Sequence, residues 1–293
     1  MVVCTNKIIS KSLCTVLTML ALFSCEKAIM TEDGEEEVTK GNLKVSIFQI
    51  EQTPFASLTR TAVSEVCTRL NFAIYYEDGS RVKQINQKVG DANFGSCSFQ
   101  LEEGTYQLVA LAHSSNSNPT MTNPAKIQFT NADGYTDTFL YSDDVTIEEE
   151  PQELSVSLDR IVALCRFVIT DDYPKGVAKM RFYYTGGSGA FNAATGLGSV
   201  NSKQTVTMDV ASGQKQFDLY TFLHEPEDDI FLKVTALDAN DNILRERDFD
   251  VQMQRNHITW LSGAFFDGAA SSSSSITVIG VNTDWDGETH LTF

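Results

Sequence analysis

Apolar and polar residues alternate along most of this chain, and no long stretch carries the 3.6-residue period of an amphipathic helix. Alternation at period two sends successive side chains to opposite faces of a strand. Such a chain must build sheets with one apolar face and bury those faces against each other. The predicted strands are 43–50 (LKVSIFQI), 68–76 (TRLNFAIYY), 81–85, 97–101, 106–113 (YQLVALAH), 126–130 and 137–147, then 154–158, 161–169 (IVALCRFVI, which carries Arg166), 179–185, 216–223, 230–237, 243–251 and 257–266. Turn residues separate them, among them Asp78-Gly79, Gly104 and the run DANDN at 238–242. Short helical pieces are expected at 62–67 and 191–197. The acidic stretch Glu148-Glu149-Glu150-Pro151 marks a shift in composition. The expected fold is all-β, with two tandem antiparallel β-sandwich domains over 43–150 and 151–268. Residues 269–293 are expected to be a Ser-rich linker followed by a β-prone segment and a polar tail containing Trp285.

The first 24 residues read differently. Lys7 and Lys11 precede an apolar stretch from Leu13 to Phe23, too short to cross a bilayer as a permanent helix. Leu22-Phe23-Ser24-Cys25 then places a large apolar residue three before a cysteine and a small one just before it. That order resembles the lipobox of bacterial lipoproteins. A peptidase needs the small residue at the cut, and the thiol takes the lipid. Residues 1–24 are therefore read as a signal peptide and Cys25 as the lipidation site, with the acyl chains holding the protein to a membrane. Residues 25–42, with the run Glu32-Asp33-Gly34-Glu35-Glu36-Glu37, form an acidic tether. Acidic residues soon after a lipidated cysteine also resemble signals for export to the outer face of the outer membrane.

Charge narrows the partners. The first 24 residues hold two of the 22 Lys and Arg and none of the 39 Asp and Glu, so the rest is near −19. Nucleic acids and anionic lipid surfaces need a basic footprint, and neither is expected as a partner. Of six cysteines, Cys67, Cys97 and Cys165 remain beyond Cys25. Cys67 and Cys97 fall in one predicted domain and can pair, yet each sits in a strand pattern where a free thiol is a common small core residue. The reading favours buried thiols.

Chemistry is sparse. His113, His224, His257 and His290 have no metal-ligand spacing to one another or to Cys and carboxylates, and no catalytic or phosphate-binding motif is present. Gly186-Gly187-Ser188-Gly189 reads as a flexible hairpin loop, and Asp171-Asp172 and Asp228-Asp229 as surface turns without the spacing of a calcium loop. Tyr75-Tyr76 and Tyr183-Tyr184 each place one ring on either face of a strand, Trp260 lies inside a strand and Trp285 in the tail. These aromatics do not define a binding cleft. No enzyme activity, metal or cofactor is expected.

Several blocks, in order, resemble the FimB-type fimbrillin-associated anchor proteins. They are the lipobox with its tether, Cys67-Thr68-Arg69-Leu70-Asn71-Phe72-Ala73, Glu103-Gly104-Thr105-Tyr106-Gln107-Leu108-Val109, Thr122-Asn123-Pro124, Phe182-Tyr183-Tyr184-Thr185-Gly186-Gly187 and Arg255-Asn256-His257-Ile258-Thr259. The resemblance implies tandem transthyretin-like sandwiches and a place at the base of a type V pilus on the outer membrane, or as a minor subunit. It implies fimbrillin stalk subunits as partners, with any host or bacterial surface ligand unidentified. It also implies strand exchange, in which a groove vacated by a first strand receives a strand from a neighbour. In related stalk proteins a protease cuts after an arginine that follows the first strand, and Arg60-Thr61 stands in that position here. Cleavage there would separate the body from Cys25, so an anchor is expected to leave this bond intact. Ile276, Thr277, Val278, Ile279, Gly280 and Val281 are the candidate donor strand, their alternative being a last strand of the second domain. A surface glycan-binding lipoprotein of a nutrient-uptake system is the competing function.

Overall fold

The computed structural model describes residues 41–50, 63–130, 134–210, 213–267 and 285–293. In chain order the strands are β1 (Leu43–Ile50), β2 (Arg69–Tyr75), β3 (Arg81–Lys88), β4 (Ser96–Phe99), β5 (Gly104–His113), β6 (Ile127–Gln128), β7 (Thr138–Ile147), β8 (Gln152–Arg160), β9 (Ala163–Ile169), β10 (Lys179–Thr185), β11 (Ala190–Phe191), β12 (Lys203–Asp209), β13 (Gln216–Thr221), β14 (Glu227–Leu237), β15 (Ile243–Gln254), β16 (His257–Gly263) and β17 (Gly287–Thr292). A one-turn helix, α1 (Val63–Val66), precedes β2. The described residues are all-β apart from that turn.

The N-terminal half is a sheet of order β3-β2-β5-β7-β8-β1-β4. β7 and β8 pair only at Phe139–Arg160 and Leu140–Asp159. Beyond that short seam the sheet folds over, because Leu43, Val45, Phe99 and Val156 from β1, β4 and β8 share one core with Leu70, Phe72, Leu108 and Phe139 from β2, β5 and β7. The C-terminal half sets β12-β10-β14-β15 against β13-β9-β16-β17. Phe167, Phe182, Phe217, Phe249 and Phe265 fill the space between. β15 shows the driving pattern most plainly: Arg247, Phe249, Val251 and Met253 point inward and their neighbours outward.

A third core joins the halves. β2 and β5 are apolar on both faces, and Ala73, Tyr75, Val109 and Leu111 turn away from the first core to meet Phe129, Leu164, Phe191, Phe222, Ile258 and Trp285. This explains why 106–113 is so apolar: it is buried twice. It also places the turn between β7 and β8 at the expected domain boundary of 150/151, with β8 running on in the N-terminal sheet beside β1. The chain crosses to the other pair of sheets at residues 161–162, between β8 and β9.

Other expectations need correction. Residues 191–197 form no helix; Asn192 closes a turn there, accepting from the amide of Ala194 through Oδ1 at 2.9 Å and from that of Gly196 through its carbonyl at 2.8 Å. β11, β12 and β17 have no counterpart among the expected strands. β12 buries a glutamine, Gln204, where an apolar residue would have signalled a strand, and β17 buries only Leu291 fully.

Candidate functional site

The first and last strands of the described residues are seated differently. β1 lies inside its sheet, parallel to β8 from Leu43–Gln152 to Ile50–Leu158 and antiparallel to β4 from Leu43–Phe99 to Ser46–Ser96. Leu43 and Val45 are fully buried, and Ile50 nearly so. Its entry point is fastened by Asn42, which donates from Nδ2 to the Leu101 carbonyl at 2.8 Å and accepts the Leu101 amide through Oδ1 at 3.0 Å. The Asn42 carbonyl takes the amide of Gln152 at 2.8 Å. Gly41 lies so close to β4 that a Cβ there would sit 2.3 Å from the carbonyl oxygen of Phe99. Bare backbone is required at that point.

β17 lies at the edge of its sheet, parallel to β16 from His257–Gly287 to Ser262–Thr292. Leu291 reaches the core. Phe293 follows, stacked on Phe167 at 5.2 Å and tilted against Phe249 at 4.7 Å. The buried Arg247 lies 4.8 Å from the Phe293 ring and donates from Nη1 to the Ala264 carbonyl at 2.8 Å. Across the outer face of this sheet, register aligns Asp218, Arg166, Trp260 and His290 in one row. Arg166 forks onto Asp218 at 2.7 and 2.8 Å, its guanidinium lies 4.8 Å from the Trp260 ring, and Trp260 stacks on His290 at 5.3 Å. Trp260 Nε1 also donates to Glu288 at 3.1 Å. Side-chain stacking thus holds β17 where burial is slight.

Arg160, at the end of β8, ties the halves together. Nε and Nη2 donate to Asp137 at 2.7 and 2.9 Å, and Nη1 donates to Asn256 Oδ1 at 3.1 Å. Its guanidinium packs 3.9 Å from the Trp285 ring and 4.7 Å from Phe139. Trp285, expected in a polar tail, is a buried contact just before β17.

Cys25, Arg60, Thr61 and the segment from Ile276 to Val281 lie outside the described residues. Cys67, Cys97 and Cys165 are free and buried, and burial pushes each thiol up to about 12. His113 is fully buried, donating from Nε2 to Asn71 Oδ1 at 2.8 Å while Nδ1 accepts the Ser115 amide at 3.1 Å. Burial lowers it to about 4. The glycine-rich loop is no loose hairpin. Ser188 is buried, its amide bonds the Phe222 carbonyl at 2.9 Å, and a Cβ on Gly187 would strike Thr221. Asp171 caps the turn after β16, accepting the amides of Phe265, Phe266 and Asp267 at 2.9, 2.7 and 2.8 Å. Asp228 and Asp229 stand in β14, not in a turn. Among the described residues no three His, Cys, Asp or Glu side chains gather as a metal site, and no helix is long and apolar enough to cross a membrane.

A search of the curated proteins finds no match. Solved structures similar to the chain include a candidate adhesin of Bacteroides ovatus, at 16% identity over 71% of this chain and 82% of that one with a TM-score of 0.49. They include the fimbrial anchor protein Mfa2 of Porphyromonas gingivalis, at 12% identity over 71% and 81% with a TM-score of 0.42. A fimbrial assembly protein of Parabacteroides distasonis matches at 10% identity over 76% and 89%, with a TM-score of 0.38. Fimbrial proteins, the class that the sequence blocks resemble, thus stand among the structures similar to this one. The family model described as a family of unknown function, DUF6562, matches residues 35–292, and the chain belongs to that family.

Proposed function

We propose that this protein is a lipid-anchored subunit of a bacterial fimbria, held to the outer membrane through Cys25 and joined to fimbrillin stalk subunits by β-strand exchange near its C-terminus. The observation that carries this reading is the contrast between the two terminal strands. The strand that follows the tether is locked between two neighbours with Leu43 and Val45 fully buried. The last strand is an edge strand with one buried residue of six. A chain pulled at its lipidated end and required to exchange at the other needs this polarity. In this reading the bond between Arg60 and Thr61 stays intact, so β1 keeps the N-terminal groove closed and no subunit adds there. Residues 276–293 act together: β17 is released from β16, and the segment from Ile276 to Val281 enters the groove of the adjacent stalk subunit. The two halves serve as tandem transthyretin-like sandwiches, one for each task.

Removing residues 276–281 in the native host tests the proposal. Pili should be shed into the medium while the shortened protein remains in the membrane fraction. Pili that stay attached would show that another surface makes the contact.

A further inference from the structure

The outer face of the sheet β12-β10-β14-β15 has no part in the strand-exchange reading, and it carries a shallow groove of about 410 Å³. Arg181, Tyr183, Thr205, Lys233 and Thr235 line it. Their convergence is dictated by register. Tyr183 of β10 stands opposite Thr205 on one side and Lys233 on the other, and Arg181 stands opposite Thr207 and Thr235. The alternating neighbours Phe182, Tyr184, Leu232 and Val234 fill the core, so this row must face out. Of the tyrosine pair 183-184, the first ring is half-exposed and the second buried.

We infer that this groove is a binding site for a neutral saccharide. Three features point to that chemistry. The first is the Tyr183 ring, a partly exposed aromatic ring set among hydroxyls and charges, suited to the C–H face of a pyranose. The second is unused hydrogen-bonding capacity. Among the described residues the side chains of Arg181, Tyr183 and Thr205 make no hydrogen bond or ion pair with the protein, although they line one surface. The third is charge balance. Lys233 bonds Glu246 at 3.0 Å and lies 3.5 Å from Asp248, and Thr235 donates to Glu246 at 3.0 Å. An anionic ligand would meet Glu246 and Asp248, and a cationic one Arg181 and Lys233. A neutral ring with a rim of hydroxyls uses donors and acceptors of both kinds. The groove is of ordinary size for a small-ligand site, which runs from about 300 to 1,000 Å³. A peptide is a poorer fit. β10 and β14 are interior strands with both edges paired, so no free backbone is offered for strand addition.

Binding to an array of neutral pyranose oligosaccharides (glucan, mannan and xylan fragments), followed by calorimetry on the best binder, tests the inference on the full chain. One or more should bind. Tyr183→Ala should weaken that binding by about tenfold, the scale of one lost aromatic contact, and Arg181→Met by several-fold. Tyr76→Ala, which removes another half-exposed ring, should leave it unchanged, and all three variants should melt as cooperatively as the parent. The inference is overturned if no neutral oligosaccharide binds. It is equally overturned if Tyr183→Ala and Tyr76→Ala act alike, or if oligogalacturonate or a poly-glutamate peptide binds more tightly than every neutral oligosaccharide.

Discussion

β1 and β17 are both terminal strands, and both run parallel to a neighbour, yet one is built in and the other laid on. β1 has partners on two sides, two fully buried side chains and an asparagine clasp at its entry. β17 has one partner, one buried side chain within the strand, and a stacked row of Arg166, Trp260 and His290 across its outer face. Interior strands are held by burial, which is undone only by unfolding their half. An edge strand held by stacking and one ladder can leave while the sandwich beneath it survives. The same fold therefore seats one terminal strand inside a sheet and lays the other along an edge, the polarity that the proposed function uses.

The largest expected effect separates the two directly. Leu43→Asp puts an unpaired carboxylate into a closed slot and should cost about 5 kcal/mol, enough to unfold the N-terminal half in a urea titration. Leu291→Asp, on the edge strand, buries its charge only while β17 stays paired, and it can expose that charge by releasing this one strand, so it should cost less than half as much. Equal losses would erase the distinction drawn between the strands.

Arg160→Ala comes next, at about 3 to 4 kcal/mol, because Asp137 is left half-buried without its fork and Trp285 loses its cation. Hydrogen exchange should quicken in residues 285–293 and stay slow in β1. Uniform quickening would mean that Arg160 holds the whole molecule rather than the end that β17 occupies.

A third effect belongs to the N-terminal half alone. His113 is neutral in the fold and depressed to about 4, whereas an unfolded imidazole titrates near 6.5. Between those values the unfolded chain binds a proton that the folded chain refuses. Stability is therefore complete above about pH 6.5 and falls as pH drops toward 4, by up to about 3 kcal/mol. His113→Asn should flatten that slope when unfolding is followed at several pH values. An unchanged slope would place the acid sensitivity elsewhere.

Much of this architecture was legible in the alternation. β1, β2, β5, β7 and β10 lie within a residue or two of the expected ranges, because each buries a clear apolar face. The elements missed were those whose stability is tertiary. β12 interrupts its short apolar face of Val206 and Met208 with a buried glutamine, Gln204, and β17 rests on Leu291 plus stacking by residues far away in sequence. The acidic stretch before β8 shows the same limit of local pattern. An acidic turn looks like a boundary, yet this one joins two strands of one sheet, and parallel pairing of β8 with β1 leaves no local mark. Asn42 and Arg160 were invisible for the same cause, their partners being far off in sequence or on another strand. The groove at Tyr183 was half visible, since the tyrosine pair announced an outward ring without saying what stood beside it.

The central claim is that the end joined to the lipid is permanent and the opposite end exchanges. Mass spectrometry of the protein extracted from outer membranes, in its assembled state, tests this most directly. The account predicts a single chain beginning at a lipid-modified Cys25 and running unbroken through Arg60-Thr61. A membrane-assembled form beginning at Thr61, without its first strand, would contradict it.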